Sequence, residues 1–162
     1  MSTRTVNVFA FREKLTSAKL NKMPMGWPLR RRITTNNQSG ISTETAITEY
    51  TEALNIPGAD RALFFTASVN VYASVAASDI FAEVRIRDGG LGGSVVGYGT
   101  SVIREDDTDR MQTIVAIGTD LNVSGAHTYY VSLEVHGVAT LLTAHSSTRP
   151  GCFVIQDMGP SS

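Results

Sequence analysis

The chain has 162 residues, enough for one domain with a real core and too few for two ordinary ones. Apolar residues make up 42% and charged residues only 18%, and Gly, Ser, Thr, Val and Ala are abundant while lysine is scarce, which argues against a helical protein and for an all-β one. No run of about 18 apolar residues offers a membrane span, no apolar leader with a small-residue cleavage site marks a secretory signal, and the lone Cys152 excludes a disulfide framework and a multi-cysteine zinc site.

The net charge of −1 hides an asymmetry. Residues 1–32 carry eight basic side chains (Arg4, Arg12, Lys14, Lys19, Lys22, Arg30, Arg31, Arg32) against Glu13, a balance of +7. The remainder carries six basic and fourteen acidic residues, a balance of −8. The expected organisation is therefore a basic arm, 1–32, on an acidic domain, 33–162. Such a split points to a segment that meets a surface of opposite sign.

In the arm, Leu15, Ala18 and Leu20 share a face of a short helix capped by Thr16 or Ser17, and Pro24 and Pro28 stop it. One or two turns gain stability only by packing on something else. Met23, Met25, Trp27 and Leu29 add apolar groups at alternate positions, so the arm is expected to bury them on a neighbour or back on its own domain.

From Ile33 the composition shifts to Thr, Asn, Ser and Gly. Short strands are expected at Ile33–Thr35 and Ile41–Thr48 around a turn at Asn36–Gly40. Tyr50–Ile56 reads as a strand or a helical turn ended by Pro57 and Gly58. The clearest signal follows: Leu63, Phe65, Ala67, Val69 and Val71 alternate with Phe64, Thr66, Ser68, Asn70 and Tyr72. After a break at 76–79, Ala82, Val84 and Ile86 alternate with Glu83, Arg85 and Arg87, a half-buried antiparallel strand.

Gly89–Gly93 reads as a loop, and Val95–Ile103 as a weaker strand with bends at Gly97 and Gly99. Glu105–Asp109 is an acidic turn, Met111–Ile117 a strand and Leu121–Gly125 a turn. Then come Tyr129–Val135, with Tyr129, Val131, Leu133 and Val135 on one face, Val138–Ala144 and Phe153–Met158. Turn signals roughly every 8–12 residues between about eight strands are the signature of a β-sandwich or jelly roll.

Candidate chemistry is sparse. His127, His136 and His145 stand nine residues apart on or near strands, but the alternation places His136 on a polar face with Glu134, so ordinary edge or surface histidines are expected rather than a metal site. The acidic turn lacks EF-hand spacing, and the glycine loop lacks the Lys-Ser/Thr ending and following helix of a phosphate cradle. Cys152 reads as a small buried residue. No serine sits in a nucleophile elbow and no carboxylate–histidine constellation can be assigned, so no enzyme activity, catalytic residue, metal or cofactor is expected. The triple Arg30, Arg31, Arg32 favours a protein partner over nucleic acid, because no aromatic stacking platform accompanies it and the domain is acidic.

Two stretches carry a resemblance. "FREKLTSAKLNKMPMGW" (Phe11–Trp27) resembles the segment of the form "LTAAKLNxMPxG" near the start of small virion proteins, of minor-tail and decoration type, from phages and prophages of actinobacteria. "STRPGCFVIQDMGP" (Ser147–Pro160) resembles their closing strand, "sxAFILVEDIGP", and "ITTNNQSGISTETAIT" (Ile33–Thr48) is similar to their first hairpin. The chain departs at Gly151-Cys152-Phe153, at Gln156 and Met158, and in its more basic lead-in.

The resemblance implies a C1q/TNF-like jelly roll with an extended N-terminal arm, self-associated as a homotrimer in a virion after synthesis in the host cytoplasm. Its implied partners are major capsid or tail proteins and, in the alternative of a receptor- or glycan-binding module, host cell-surface glycans. The arm residues expected to touch the partner are Leu15, Leu20, Met23, Met25, Trp27, Arg30, Arg31 and Arg32. Aromatic faces bearing Phe64, Tyr72 or Tyr130 are the candidates for trimerisation.

Overall fold

The computed structural model describes residues 29–35, 37–76, 80–104, 111–137 and 139–161. Seven strands follow in chain order: β1 (Leu29–Ile33), β2 (Thr45–Ala76), β3 (Ile80–Asp88), β4 (Ser94–Ile103), β5 (Met111–His136), β6 (Ala139–Thr143) and β7 (Gly151–Pro160). All pairings between them are antiparallel, and the described residues include no helix.

The alternation sets the faces. Leu63, Phe65, Ala67, Val69 and Val71 of β2 are buried, as are Ala82, Val84 and Ile86 of β3 and Tyr129, Val131, Leu133 and Val135 of β5. Each large aliphatic side chain so removed from water contributes roughly 1.5–3 kcal/mol.

Two long strands organise the rest. Pro57 and Gly58 do not end a strand as expected: β2 continues through them, and its register with β5 slips between Ile56 and Arg61, with Asp60 at φ 57°. On β5 the matching bend has Asn122 at φ 61° and Gly125 at φ 82°. Asp, Asn and Gly are the residue types that tolerate this left-handed region. The expected turn at Leu121–Gly125 is thus a bend within β5, and two of the expected breaks become kinks.

The strands form one continuous hydrogen-bonded sheet that folds at those kinks into two packed sheets, each long strand passing from one to the other. The first sheet holds β1, β7, the second part of β2 (61–76) and the first part of β5 (111–120), with β6 beside the end of β2. The second holds the first part of β2 (45–56), the second part of β5 (125–136), β3 and β4. Their inner faces meet at Phe65 and Tyr129, ring centroids 4.7 Å apart, and at Tyr50 and Phe153, 6.4 Å apart. One side of the sandwich is closed where β4 reaches β5, Gly97 opposite Gly118 and Tyr98 opposite Ile117. A Cβ on Gly118 would stand 2.0 Å from the Val96 carbonyl oxygen and 2.3 Å from Gly97 Cα, so the approach depends on glycine.

Polar groups pin this frame. The buried Arg61, beside the β2 kink, donates from Nε to both Asp157 oxygens at 3.2 Å and from its terminal nitrogen to Asp157 Oδ2 at 2.7 Å. Buried Tyr50 donates its hydroxyl proton to the Ser68 carbonyl at 2.6 Å. Its oxygen can then only accept from His145 Nε2, 3.2 Å away, which makes His145 Nδ1 the lone-pair nitrogen. That atom is buried without a hydrogen-bond partner, and burial pulls the His145 pKa below its ordinary value.

Three expectations are corrected. The first hairpin does not form: β1 pairs with β7, and Ile41 makes a single bridge to Leu141. Ile33 is the end of a strand that starts at Leu29, so the boundary drawn after Arg32 falls inside β1. Cys152 is half-buried and faces outward beside the Ser68 hydroxyl, because Phe153 takes the core position.

Candidate self-association surface and polar clusters

The two sheets present opposite outer faces. On the first, Val115 and Ile117 of β5 are 47% and 54% exposed. Register places Val154 and Ile117 on either side of Thr66, and Gln156 and Thr119 on either side of Phe64. Across the glycine closure the apolar surface continues onto β4, where Tyr98 and Val102 are more than half exposed.

The outer face of the second sheet is charged and internally paired. Glu44 accepts from Arg87 at 2.6 and 2.9 Å, from Arg85 at 2.9 Å and from the Ser132 hydroxyl at 2.7 Å. Burial alone would raise the Glu44 pKa, but Arg87, Ser132 and Arg85 outweigh it and hold the carboxylate below its ordinary value. Arg85 also pairs with Glu83 and Glu134, and His136 Nε2 lies 3.4 Å from Glu83. A face so compensated is suited to water.

A third cluster sits at the end of the sandwich where β3 stops and β5 bends. His127 Nδ1 is 2.8 Å from Asp88 Oδ2, and His127 Nε2 is 3.1 Å from the Ser124 carbonyl oxygen. The Tyr129 hydroxyl donates to Asp120 Oδ2 at 3.1 Å, and the imidazole stacks on the Tyr129 ring at 6.0 Å. Burial lowers the His127 pKa, but the contacts with Asp88 and Ser124 outweigh it and leave it above its ordinary value. Burial, then Asp120, push the Tyr129 phenol upward, so it is neutral.

Of the arm residues, Leu15, Leu20, Met23, Met25 and Trp27 lie outside the described residues. Arg30 holds the register position opposite Val154 in β1. Arg31 donates to the Thr51 carbonyl at 2.9 Å and to Glu52 at 2.7 Å, and Arg32 to the Ser147 carbonyl at 2.6 Å, so both guanidinium groups are engaged within the chain. Phe64 and Tyr72 are half-buried on the outer face of the first sheet, whereas Tyr130 belongs to that of the second. The acidic turn Glu105–Asp109 lies outside the described residues. The three histidines do not converge: His127 meets Asp88, His136 meets Glu83 and Glu134, and His145 meets Tyr50. Sequence reasoning missed Val115, Ile117, Tyr98 and Val102, although apolar residues on both faces of 111–117 were a readable signal. It also missed Asp88 and Asp120 as companions of His127, for which only the strand register brings the groups together.

No protein-family model matches the chain, and no curated protein matches it in sequence. Among solved structures, murine APRIL superposes with a TM-score of 0.51 at 12% identity, over 81% of this chain and 98% of that one. A VP2 mutant of infectious bursal disease virus, in T=1 particles, gives a TM-score of 0.42 at 10% identity over 85% of this chain and 37% of VP2, so this chain spans little more than a third of that protein. The likeness to APRIL shows the fold, an all-β TNF-like jelly roll.

Proposed function

We propose that the chain is a structural protein of a bacteriophage virion, a homotrimeric jelly roll that decorates or stabilises the capsid or tail and is attached through the segment before β1. It has no enzymatic role in this reading. The observation that carries self-association is the apolar outer face of the first sheet, with Val115 and Ile117 open and the charged face turned the other way.

The two ends of that apolar stretch, the sheet face with Val115 and Ile117 and the β4 rim with Tyr98 and Val102, suit a head-to-tail contact in which one copy's rim packs on the next copy's face. Contacts of that kind close into rings, and threefold closure multiplies weak attachments into an avid one. The virion setting rests on the resemblance of Phe11–Trp27 and Ser147–Pro160 to small phage virion proteins.

The test is native mass together with co-sedimentation, using the chain with and without residues 1–28, a cut that spares β1 and its pairing with β7. Binding of a trimer to heads or tails stripped of this protein, at fixed stoichiometry and only with the segment present, supports the proposal. A trimer that ignores virion parts and binds host cell walls would replace it with a receptor- or glycan-binding module, and a monomer would overturn the trimeric reading.

A further inference from the structure

The His127 cluster differs from every other charged group described above in its chemistry. Glu83, Glu134 and His136 also converge, but Arg85 pairs with both carboxylates and supplies the positive charge. Among the described residues no guanidinium or ammonium group pairs with Asp88 or Asp120; their contacts are His127, which carries a positive charge only when protonated, and the Tyr129 hydroxyl. Three potential ligand atoms, one each from Asp88, Asp120 and His127, lie within 4.8 Å of one another.

Orientation favours coordination. A ligating imidazole commonly donates its second N–H to a backbone carbonyl, which fixes the tautomer and aims the other nitrogen at the metal. The contact of His127 Nε2 with the Ser124 carbonyl at 3.1 Å is such an anchor, and it directs Nδ1 toward Asp88 Oδ2 at 2.8 Å. A proton on Nδ1 joins that pair as an N–H···O hydrogen bond, and a metal ion taking the proton's place would meet a lone pair and a carboxylate oxygen already side by side. Ligands about 2.1 Å from an ion stand roughly 3 Å apart when adjacent, which matches this pair. The neutral Tyr129 hydroxyl holds Asp120 Oδ2 by hydrogen bonding and so positions the second carboxylate.

We propose that Asp88, Asp120 and His127 form a binding site for a divalent transition-metal ion of the zinc or manganese class, with His127 Nδ1 and one oxygen of each carboxylate as its protein ligands. The nitrogen donor argues against calcium, which prefers an all-oxygen shell, and two carboxylates with one imidazole suit borderline ions that complete their coordination with water. Asp88 ends β3, while Asp120 and His127 flank the β5 bend, so the ion would tie the bend to its neighbouring strand.

The experiment is titration of the untagged full chain with zinc, manganese or calcium chloride by calorimetry, repeated on Asp120→Asn, His127→Gln and the control His136→Gln. A second readout is manganese-induced broadening of the histidine ring signals in NMR. One zinc or manganese ion per chain, broadening at His127 rather than His136, at least about tenfold weaker binding in Asp120→Asn and His127→Gln, and none in the control would support the site. Far-UV circular dichroism in a chelator establishes that each variant is folded. Absence of zinc and manganese binding in the millimolar range, binding unchanged in both site variants, or loss through His136→Gln would overturn it.

Discussion

Replacing Asp157 tests whether the jelly roll depends on the clamp at the β2 kink. Arg61 is 2% exposed and its partner's side chain 15% exposed, so Asp157→Ala removes the carboxylate that faces a guanidinium in a nearly dry place. Breaking a buried pair by removing one member costs about 3–5 kcal/mol, and the residual exposure of Asp157 places this one near the lower end. Asp157 Oδ1 also accepts the Gly159 backbone N–H at 2.8 Å, worth about 1 kcal/mol more. The expected loss is therefore about 3–4 kcal/mol, or about 9–12 °C in melting temperature for a chain of this size. Asp157→Asn keeps a side-chain oxygen for Gly159 but loses the charge and turns an amide NH2 toward the Arg61 nitrogens that Oδ2 accepts from, with an expected cost of about 2–3 kcal/mol. Urea denaturation followed by far-UV circular dichroism, at one fixed protein concentration so that self-association does not shift the midpoint, reads both values. A loss below about 1 kcal/mol for Asp157→Ala would refute the reasoning, because the charge would then contribute nothing beyond the backbone contact, and equal losses for the two variants would show that the Gly159 contact contributes nothing.

Three further outcomes are expected. His145 is held neutral by burial with its native pKa below the ordinary 6.5, so the unfolded chain takes up a proton first as pH falls; stability is intact above about 6.5 and declines below it, by at most about 1.4 kcal/mol per pH unit. His145→Gln removes that decline, and parallel melting-temperature curves for the two proteins between pH 7 and 5, roughly the window of histidine titration, would contradict it. Gly118→Ala drives a methyl group into the Val96 carbonyl and the Gly97 backbone, and is expected to cost about 2 kcal/mol or more with faster amide exchange confined to β4; uniform exchange would argue against closure at that edge. Ile117→Lys places a charge in the apolar outer face and should weaken self-association at least tenfold, about 1.4 kcal/mol, in native mass measurements, whereas an unchanged assembly would move the interface elsewhere.

The faces of the strands were legible in the sequence because alternation is a local property. Leu63 to Val71, Ala82 to Ile86 and Tyr129 to Val135 point inward as their spacing requires. What the sequence concealed was non-local. Pro57, Gly58 and the Leu121–Gly125 segment read as strand ends, yet the chain only bends there, because pairing with a long partner strand holds it extended on both sides. The role of Ile33 was misread for the same reason: its neighbour in space is Gly151, far along the chain, and not the nearby segment after Gly40. The metal-type cluster was invisible because nothing in the spacing of Asp88, Asp120 and His127 foretells that β3 ends where β5 bends. The exposed Val115 and Ile117 differ: their alternation with Ile114 and Ala116 puts apolar groups on both faces, a pattern legible in the sequence.

The place of β7 between β1 and β2 has a consequence for how the protein reaches its native state. During synthesis the first sheet has a vacant slot until β7, the last strand in chain order, leaves the ribosome. Among the described strands β1 forms its backbone ladder with β7 alone, so it lacks a strand partner before then, and the flank of β2 that β7 covers remains open. Completion of the sheet therefore waits for β7, and in a crowd of nascent chains the slot is a place where one copy's closing strand can enter another copy's sheet.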